Sequence, residues 1–174
     1  SKGKFGGGER RVFKQTHKKT KEGNKPSFTA LAVVGNNDGY VGVGIGKAQE
    51  TVPARDKALR MAKKSIFKIR RGCGSWEGTD GPNSIPFTVE GKAGSVTIRF
   101  VPAPKGKGLV CEDEVAKMLH LAGIEDIWSK SFGHTENKIN LIKAVEDALK
   151  NLMLTKTRAK PNQNVEIYEG RVNE

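Results

Sequence analysis

The residues of this 174-residue chain that could do covalent or metal chemistry are few and scattered. His17, His120 and His134 stand apart from one another and from any Ser or Cys pattern of nucleophilic catalysis. Cys73 and Cys111 form no CxxC pair, and no His lies at ligand spacing to complete a zinc site. Glu112, Asp113 and Glu114 could hold Mg²⁺, but acids in the first turn of a helix are explained by the helix dipole alone. Gly42, Gly44 and Gly46 suggest a nucleotide-binding turn at first sight, yet that fingerprint is G-x-G-x-x-G between a strand and a helix. Here the pattern is G-x-G-x-G inside a strand. The loop Lys105-Gly106-Lys107-Gly108 could cradle a phosphate at the N-terminus of the helix after it, but no Lys-Ser/Thr pair follows and three acids open that helix. An ordinary loop in which Lys105 and Lys107 touch an RNA phosphate fits better. No catalytic, metal or cofactor constellation is therefore expected.

What the sequence does concentrate is positive charge. Thirty-one Lys and Arg against 19 Asp and Glu give +12, and residues 1–80 hold 18 bases and 7 acids, a net +11. Residues 81–154 hold 9 of each, a net of zero. That asymmetry points to one polyanion-facing module joined to an electrically neutral one. Three basic elements stand out in the first half: a hairpin tip (Lys18, Lys19, Lys21, Lys25), a helix stripe (Lys57, Arg60, Lys64, Lys68, Arg71) and the Arg70-Arg71 edge. No acid interrupts residues 57–71. Like charges three and four apart on a helix cost a few tenths of a kcal/mol per pair, so an anionic partner is the natural compensation. One such run could be a solvated face, but phosphate neutralisation with counterion release explains all three together. RNA is favoured over DNA, since no helix-turn-helix or zinc-finger pattern is present.

These residues need elements to position them. Val12 and Phe13 open a strand, Lys18 to Lys25 form the tip, and Phe28 to Val34 form the return strand, closed by the turn chemistry of Gly35-Asn36-Asn37-Asp38-Gly39. Tyr40 to Gly46 alternates β-branched residues with glycine, so one face of that strand is bare. Either a helix or neighbouring chain packs closely there, or RNA backbone does. From Thr51 as N-cap a helix is predicted to run to about Ile69, with Ala54, Ala58, Met61, Ala62, Ser65 and Ile69 inward.

The second half predicts a hairpin of Ile85–Val89 and Val96–Phe100 joined through Gly91–Gly94, then a helix with Val115, Leu119 and Ala122 inward and a stop at Gly123. A short strand over Ile124–Ser131 and a helix buried through Ile142, Val145, Leu149 and Leu152 complete it. Trp76 and Trp128 are expected as packing anchors, with base-stacking platforms as the alternative. The fold class expected is α+β in two small domains, β-β-β-α over 10–71 and β-β-α-β-α over 83–154, with a linker over 72–82. Residues 1–9 are expected to be flexible and basic, and 155–174 a polar, poorly ordered tail. Two unpatterned cysteines suggest a reducing compartment, and no apolar run approaches the ~18 residues a membrane span needs.

Beyond these readings, Phe28 to Asn36 and Gly39 to Glu50 resemble the signature of the small-subunit ribosomal protein S5 (uS5) family. The similarity continues through Arg70–Glu77, Gly91–Val96, Pro102–Leu109 and Leu121–Ile124, and the Gly72–Glu77 box and Pro-Ala-Pro loop look archaeal or eukaryotic in type. The resemblance implies a double-stranded-RNA-binding-like first domain lacking its first helix, and a second domain of the S5 domain 2-like type shared with some small-molecule kinases. Those kinases use a serine-containing phosphate loop, and Gly106 to Cys111 has no serine. It further implies a structural, non-enzymatic ribosomal role near the neck and mRNA entry, in assembly and decoding accuracy, with small-subunit rRNA, uS4, uS8 and mRNA as partners in the cytoplasm. Lys14, Asn36, Asn37, Gly39, Gly42, Gly44 and Lys47 join the basic residues above as expected RNA contacts. The alternatives are a free double-stranded-RNA-binding regulator and, disfavoured, a phosphate-binding small-molecule kinase.

Overall fold

The computed structural model describes residues 10–73, 81–156 and 167–171. Trp76, most of the Gly72–Glu77 box, the flexible N-terminus and most of the polar tail lie outside the described residues. The first unit begins with two long antiparallel strands, β1 (Arg10–Thr20) and β2 (Gly23–Gly35), paired from Arg10↔Val33 to Thr20↔Gly23. The basic tip is therefore narrower than expected: a two-residue turn, Lys21-Glu22, at the end of a two-stranded ribbon. β3 (Tyr40–Ala48) pairs with β2, and β4 (Phe67–Lys68) closes a sheet of order β1-β2-β3-β4.

The bare face of β3 receives helix α1 (Thr51–Lys64). A Cβ placed on Gly42 or Gly46 would lie 2.3 or 2.2 Å from the carbonyl oxygens of Ala62 and Ala54, and one on Gly44 would lie 2.2 Å from the Ala62 nitrogen. Only hydrogen at these positions lets helix and strand backbones approach this closely. Ala54, Ala58 and Ala62 complete the contact against Ala30, Ala32 and Val34. Close helix packing thus wins over RNA approach at Gly42 and Gly44, both buried.

α1 is shorter than predicted. It stops at Lys64, where the Ser65 hydroxyl donates to the Val43 carbonyl at 2.6 Å, and the chain returns to extended geometry. Lys68, Arg70 and Arg71 consequently leave the helix for β4 and β5 (Arg70–Gly72), while Met61 turns outward at 47% exposure. Glu50, not Thr51, is the N-cap residue.

The second unit is a sheet of order β6-β7-β9-β8, formed by β6 (Val89–Ala93), β7 (Val96–Pro102), β8 (Leu109–Val110) and β9 (Ile127–Phe132). Helices α2 (Asp113–Ala122) and α3 (Lys138–Leu154) bury Val115, Leu119, Ala122, Ile142, Val145, Leu149 and Leu152 as their spacing requires. Gly123 ends α2 in the left-handed region at φ 81°. The hairpin is shifted along the chain: Ile85 is buried ahead of the strand, and Gly91 lies within β6, where a Cβ would meet the Ala144 carbonyl at 2.2 Å. The turn is Gly94-Ser95. β8 is an addition to the predicted pattern, parallel to β9.

The two units share one apolar core, in which Leu31, Val33, Val41 and Val43 from β2 and β3 join Ile69 and the interior of the second unit. Odd-numbered residues of β2 and β3 face this core and even-numbered ones face α1. Part of the expected tail is also structured: β10 (Ile167–Glu169) pairs antiparallel with β5.

Candidate nucleic-acid interface

The pairing register decides which basic residues stand together. In an antiparallel ladder, directly opposed residues project from the same face. Lys14 opposes Thr29, which opposes Lys47, and Lys18 opposes Lys25. Along β2 these partners are odd-numbered, so they share the face that, further in, is covered by the second unit. Beyond that cover the face carries Lys14, Lys18, Lys25 and Lys47 with the hydroxyls of Thr16, Ser27 and Thr29. All four lysines are exposed, and none has a carboxylate partner among the described residues. Lys19, with Gln15 and His17, projects from the opposite, α1-facing side, and Lys21 sits in the turn.

The helix stripe forms a second, separate surface. Lys57, Arg60 and Lys64 are exposed on α1, on the far side of the sheet from the Lys14–Lys47 row, and Lys68 is exposed on β4. Lys105 and Lys107 are exposed in the loop ahead of β8.

Several expected contacts are drawn into the protein instead. Arg71 is 4% exposed, and its guanidinium donates to the Asp38 carboxylate at 2.5 Å and to the carbonyls of Gly170 (3.0 Å) and Gly123 (3.3 Å). It ties the β2–β3 turn, the end of α2 and the β10 segment together. Arg70 donates to Glu169 at 2.7 Å and to the carbonyls of Thr155 and Leu152. The Asn36 side-chain oxygen accepts from the N–H groups of Asp38 (2.9 Å) and Tyr40 (3.0 Å), a turn-building role. Gly39 is buried with its N–H on the Ala122 carbonyl, and Asn37, in the left-handed region, donates its N–H to Leu121. Asn36, Gly39, Gly42, Gly44, Arg70 and Arg71, expected as RNA contacts, thus make contacts within the fold. Gly39, Gly42, Gly44 and Arg71 are buried, and the donors of Arg70 and Arg71 are engaged by protein acceptors.

The Lys105–Gly108 loop is organised by Asp126, which is buried and follows α2. Its carboxylate accepts from the Asn83 amide at 2.8 Å and the Gly108 N–H at 2.7 Å, with further backbone bonds from Gly106 and Lys107. Burial pushes this carboxyl up, but those hydrogen bonds outweigh it and hold Asp126 below the usual carboxylate range. The backbone cradle that a phosphate would need is therefore filled by the chain's own carboxylate. Glu112 at the start of α2 pairs with Lys138. Burial, then the neighbouring Asp113 charge, pushes the Cys111 thiol up to about 11. No group of three or more His, Cys, Asp or Glu gathers as a metal site among the described residues.

Trp128 departs from its expected role as a packing anchor. It projects from the outer side of β9, 41% exposed, because the preceding Ile127 takes the inward position. The signal that could have found this was the alternation itself: Ile127 and Trp128 cannot both face one core.

A basic sheet face, a separate basic helix stripe and a neutral α/β unit locked to them make a scaffold that holds its cationic surfaces in fixed register. Comparison with known sequences is specific. Residues 10–70 match the family model described as ribosomal protein S5, N-terminal domain, and residues 91–161 match ribosomal protein S5, C-terminal domain. The small ribosomal subunit protein uS5 of Nanoarchaeum equitans is 50% identical over 152 residues, covering 87% of this chain and 65% of that protein. That of Methanocaldococcus jannaschii is 50% identical over 153 residues, covering 87% and 70%, and that of Picrophilus torridus 45% over 159, covering 91% and 72%. This chain belongs to the ribosomal protein S5 family, and it spans about two-thirds of the length of these relatives.

Proposed function

We propose that the chain is a structural constituent of the small ribosomal subunit, fixed to small-subunit rRNA through its first unit. The observation that carries this reading is the sheet face of Lys14, Lys18, Lys25 and Lys47, exposed and with no acid to balance it among the described residues. Four like charges held on one rigid surface are compensated by phosphates, with release of the counterions those phosphates held. Family membership supports the particle, and the sheet face supports the contact. Lys57, Arg60 and Lys64 meet a second stretch of rRNA from the α1 side, because a sheet with a helix layer on it separates the two surfaces. Lys105 and Lys107 add the one contact beyond the first unit.

Within this proposal the first unit spans residues 10–71 and the second 83–154. The site on the subunit is near the neck and mRNA entry, beside uS4 and uS8, with a part in assembly and decoding accuracy in the cytoplasm. Sedimentation of a tagged chain through a sucrose gradient at ~0.1 M salt, where the Debye length is about 10 Å, tests the reading. It is expected in small-subunit and larger fractions. Recovery only at the top of the gradient would sink the ribosomal role and leave a free double-stranded-RNA-binding protein.

A further inference from the structure

The second sheet packs α3 against one side, and its other side carries exposed side chains that no described residue covers. Alternation sends Val89, Gly91, Val96, Ile98, Phe100 and Ile127 inward, all of them buried. The opposite side forms three cross-strand rows: Lys92, Thr97 and Phe132; Glu90, Arg99 and Lys130; and Val101, Trp128 and Val110. Trp128 and Phe132 are 41% and 44% exposed, and the Lys130 ammonium lies 5.4 Å from the centre of the Phe132 ring. Glu90, the one acid in the rows, is engaged by Arg99.

We infer that this open face seats a single-stranded stretch of RNA, with bases on Trp128 and Phe132 and phosphates along Lys92, Arg99 and Lys130. Trp128 and Phe132 lie four residues apart on one strand, so their rings project in the same direction about 13 Å apart. Aromatic rings laid flat on an open sheet are platforms for unpaired bases, whereas a duplex keeps its base faces inside its own stack. The middle row is what favours RNA over a protein partner. The centre of a protein interface accepts Arg and aromatic residues but is depleted of Lys and Glu, the types of Lys130 and Glu90. Here an Arg–Glu pair and a lysine separate the two rings, and a protein core seated on both would have to desolvate that row. A nucleic acid strand meets the same pattern favourably, because its rings and its charges alternate too.

This goes beyond the rRNA contact of the first unit and does not depend on it. Fluorescence anisotropy of a labelled 12-nucleotide oligouridine with the full chain tests it. The chain should carry Lys14, Lys18, Lys25 and Lys47→Gln, so that the sheet face of the first unit does not mask the result. Trp128→Ala and Phe132→Ala are each expected to weaken binding about 5- to 150-fold, the loss of one stacked base. Trp128→Phe should stay within about twofold of its parent, which separates stacking from folding, and Lys130→Gln should lower the salt slope by about 0.7. Binding unchanged by both alanine variants overturns the inference. So does loss of gradient co-sedimentation by the alanine variants in a chain with all four lysines intact while oligouridine binding persists, which assigns the face to a protein neighbour. Ring-dependent oligouridine binding, together with a chain that never enters the small-subunit fractions even with its four lysines intact, would sink the ribosomal reading and leave this one standing.

Discussion

Lys18 and Lys25 face each other across the ribbon, so removing their charge should weaken RNA binding and strengthen the fold at once. Opposed side chains in an antiparallel pair have Cβ atoms about 5 Å apart. Two unit charges held at that distance in water would repel by ~0.8 kcal/mol, reduced to ~0.5 kcal/mol by screening over a Debye length of about 10 Å. This is a ceiling, because the ammonium groups sit at the ends of flexible stems and spread further apart. The double variant Lys18→Gln, Lys25→Gln should therefore gain up to about 0.5 kcal/mol in urea denaturation, within the range for cross-strand pairs. Its RNA affinity should move the other way. Each neutralised phosphate contributes about 0.7–0.9 to the slope of log K against log salt, so two lysines account for about 1.5. Near 0.1 M salt that corresponds to roughly a 30-fold loss. Filter binding to small-subunit rRNA between 50 and 300 mM KCl measures both quantities, with Lys117, Lys143 and Lys150→Gln as a control from the neutral unit. A variant that loses stability, or keeps its slope, would refute the assignment of this pair to phosphate. Equal losses in the control would refute the division of labour between the units.

Arg71→Met removes a buried cation from Asp38 and two carbonyls. It should cost about 2–4 kcal/mol in urea while leaving the RNA salt slope unchanged, the opposite signature to Lys18 and Lys25. Gly44→Ala puts a methyl group against the α1 backbone and should destabilise by at least ~2 kcal/mol, read as a lowered denaturation midpoint with unaltered m-value. The Asp126 carboxyl is held below its ordinary value, so the stability it contributes is present above the unfolded value near 4 and is lost as pH falls through the folded one. Asp126→Asn should thus cost about 1.5–3 kcal/mol at pH 7, and the gap to the parent chain should narrow at pH 3; a gap that widens on acidification would contradict this account.

The sequence by itself determined what local chemistry can determine. The Gly35–Gly39 turn, the stop at Gly123 and the buried stripe of α3 were legible because turn residues and apolar spacing act within a few positions. So was the concentration of charge in the first half, with the polyanion it implies. The end of α1 was hidden, because Ser65 leaves the helix to bond a carbonyl 22 residues away. Composition also made Arg71 and Lys57 look alike. Tertiary structure separated them, burying Arg71 between segments from Asp38 to Gly170 and leaving Lys57 in solvent. The partner of β5 lies 95 or more residues further along, as in Tyr168↔Arg71, a separation at which no local pattern speaks. Likewise, only strand register placed Lys14, Lys18, Lys25 and Lys47 on one face and Lys19 on the other, and only the choice of inward partner turned Trp128 out beside Val110. A side chain's type states what it can bind, but whether anything can reach it depends on which distant segment the chain folds back against it.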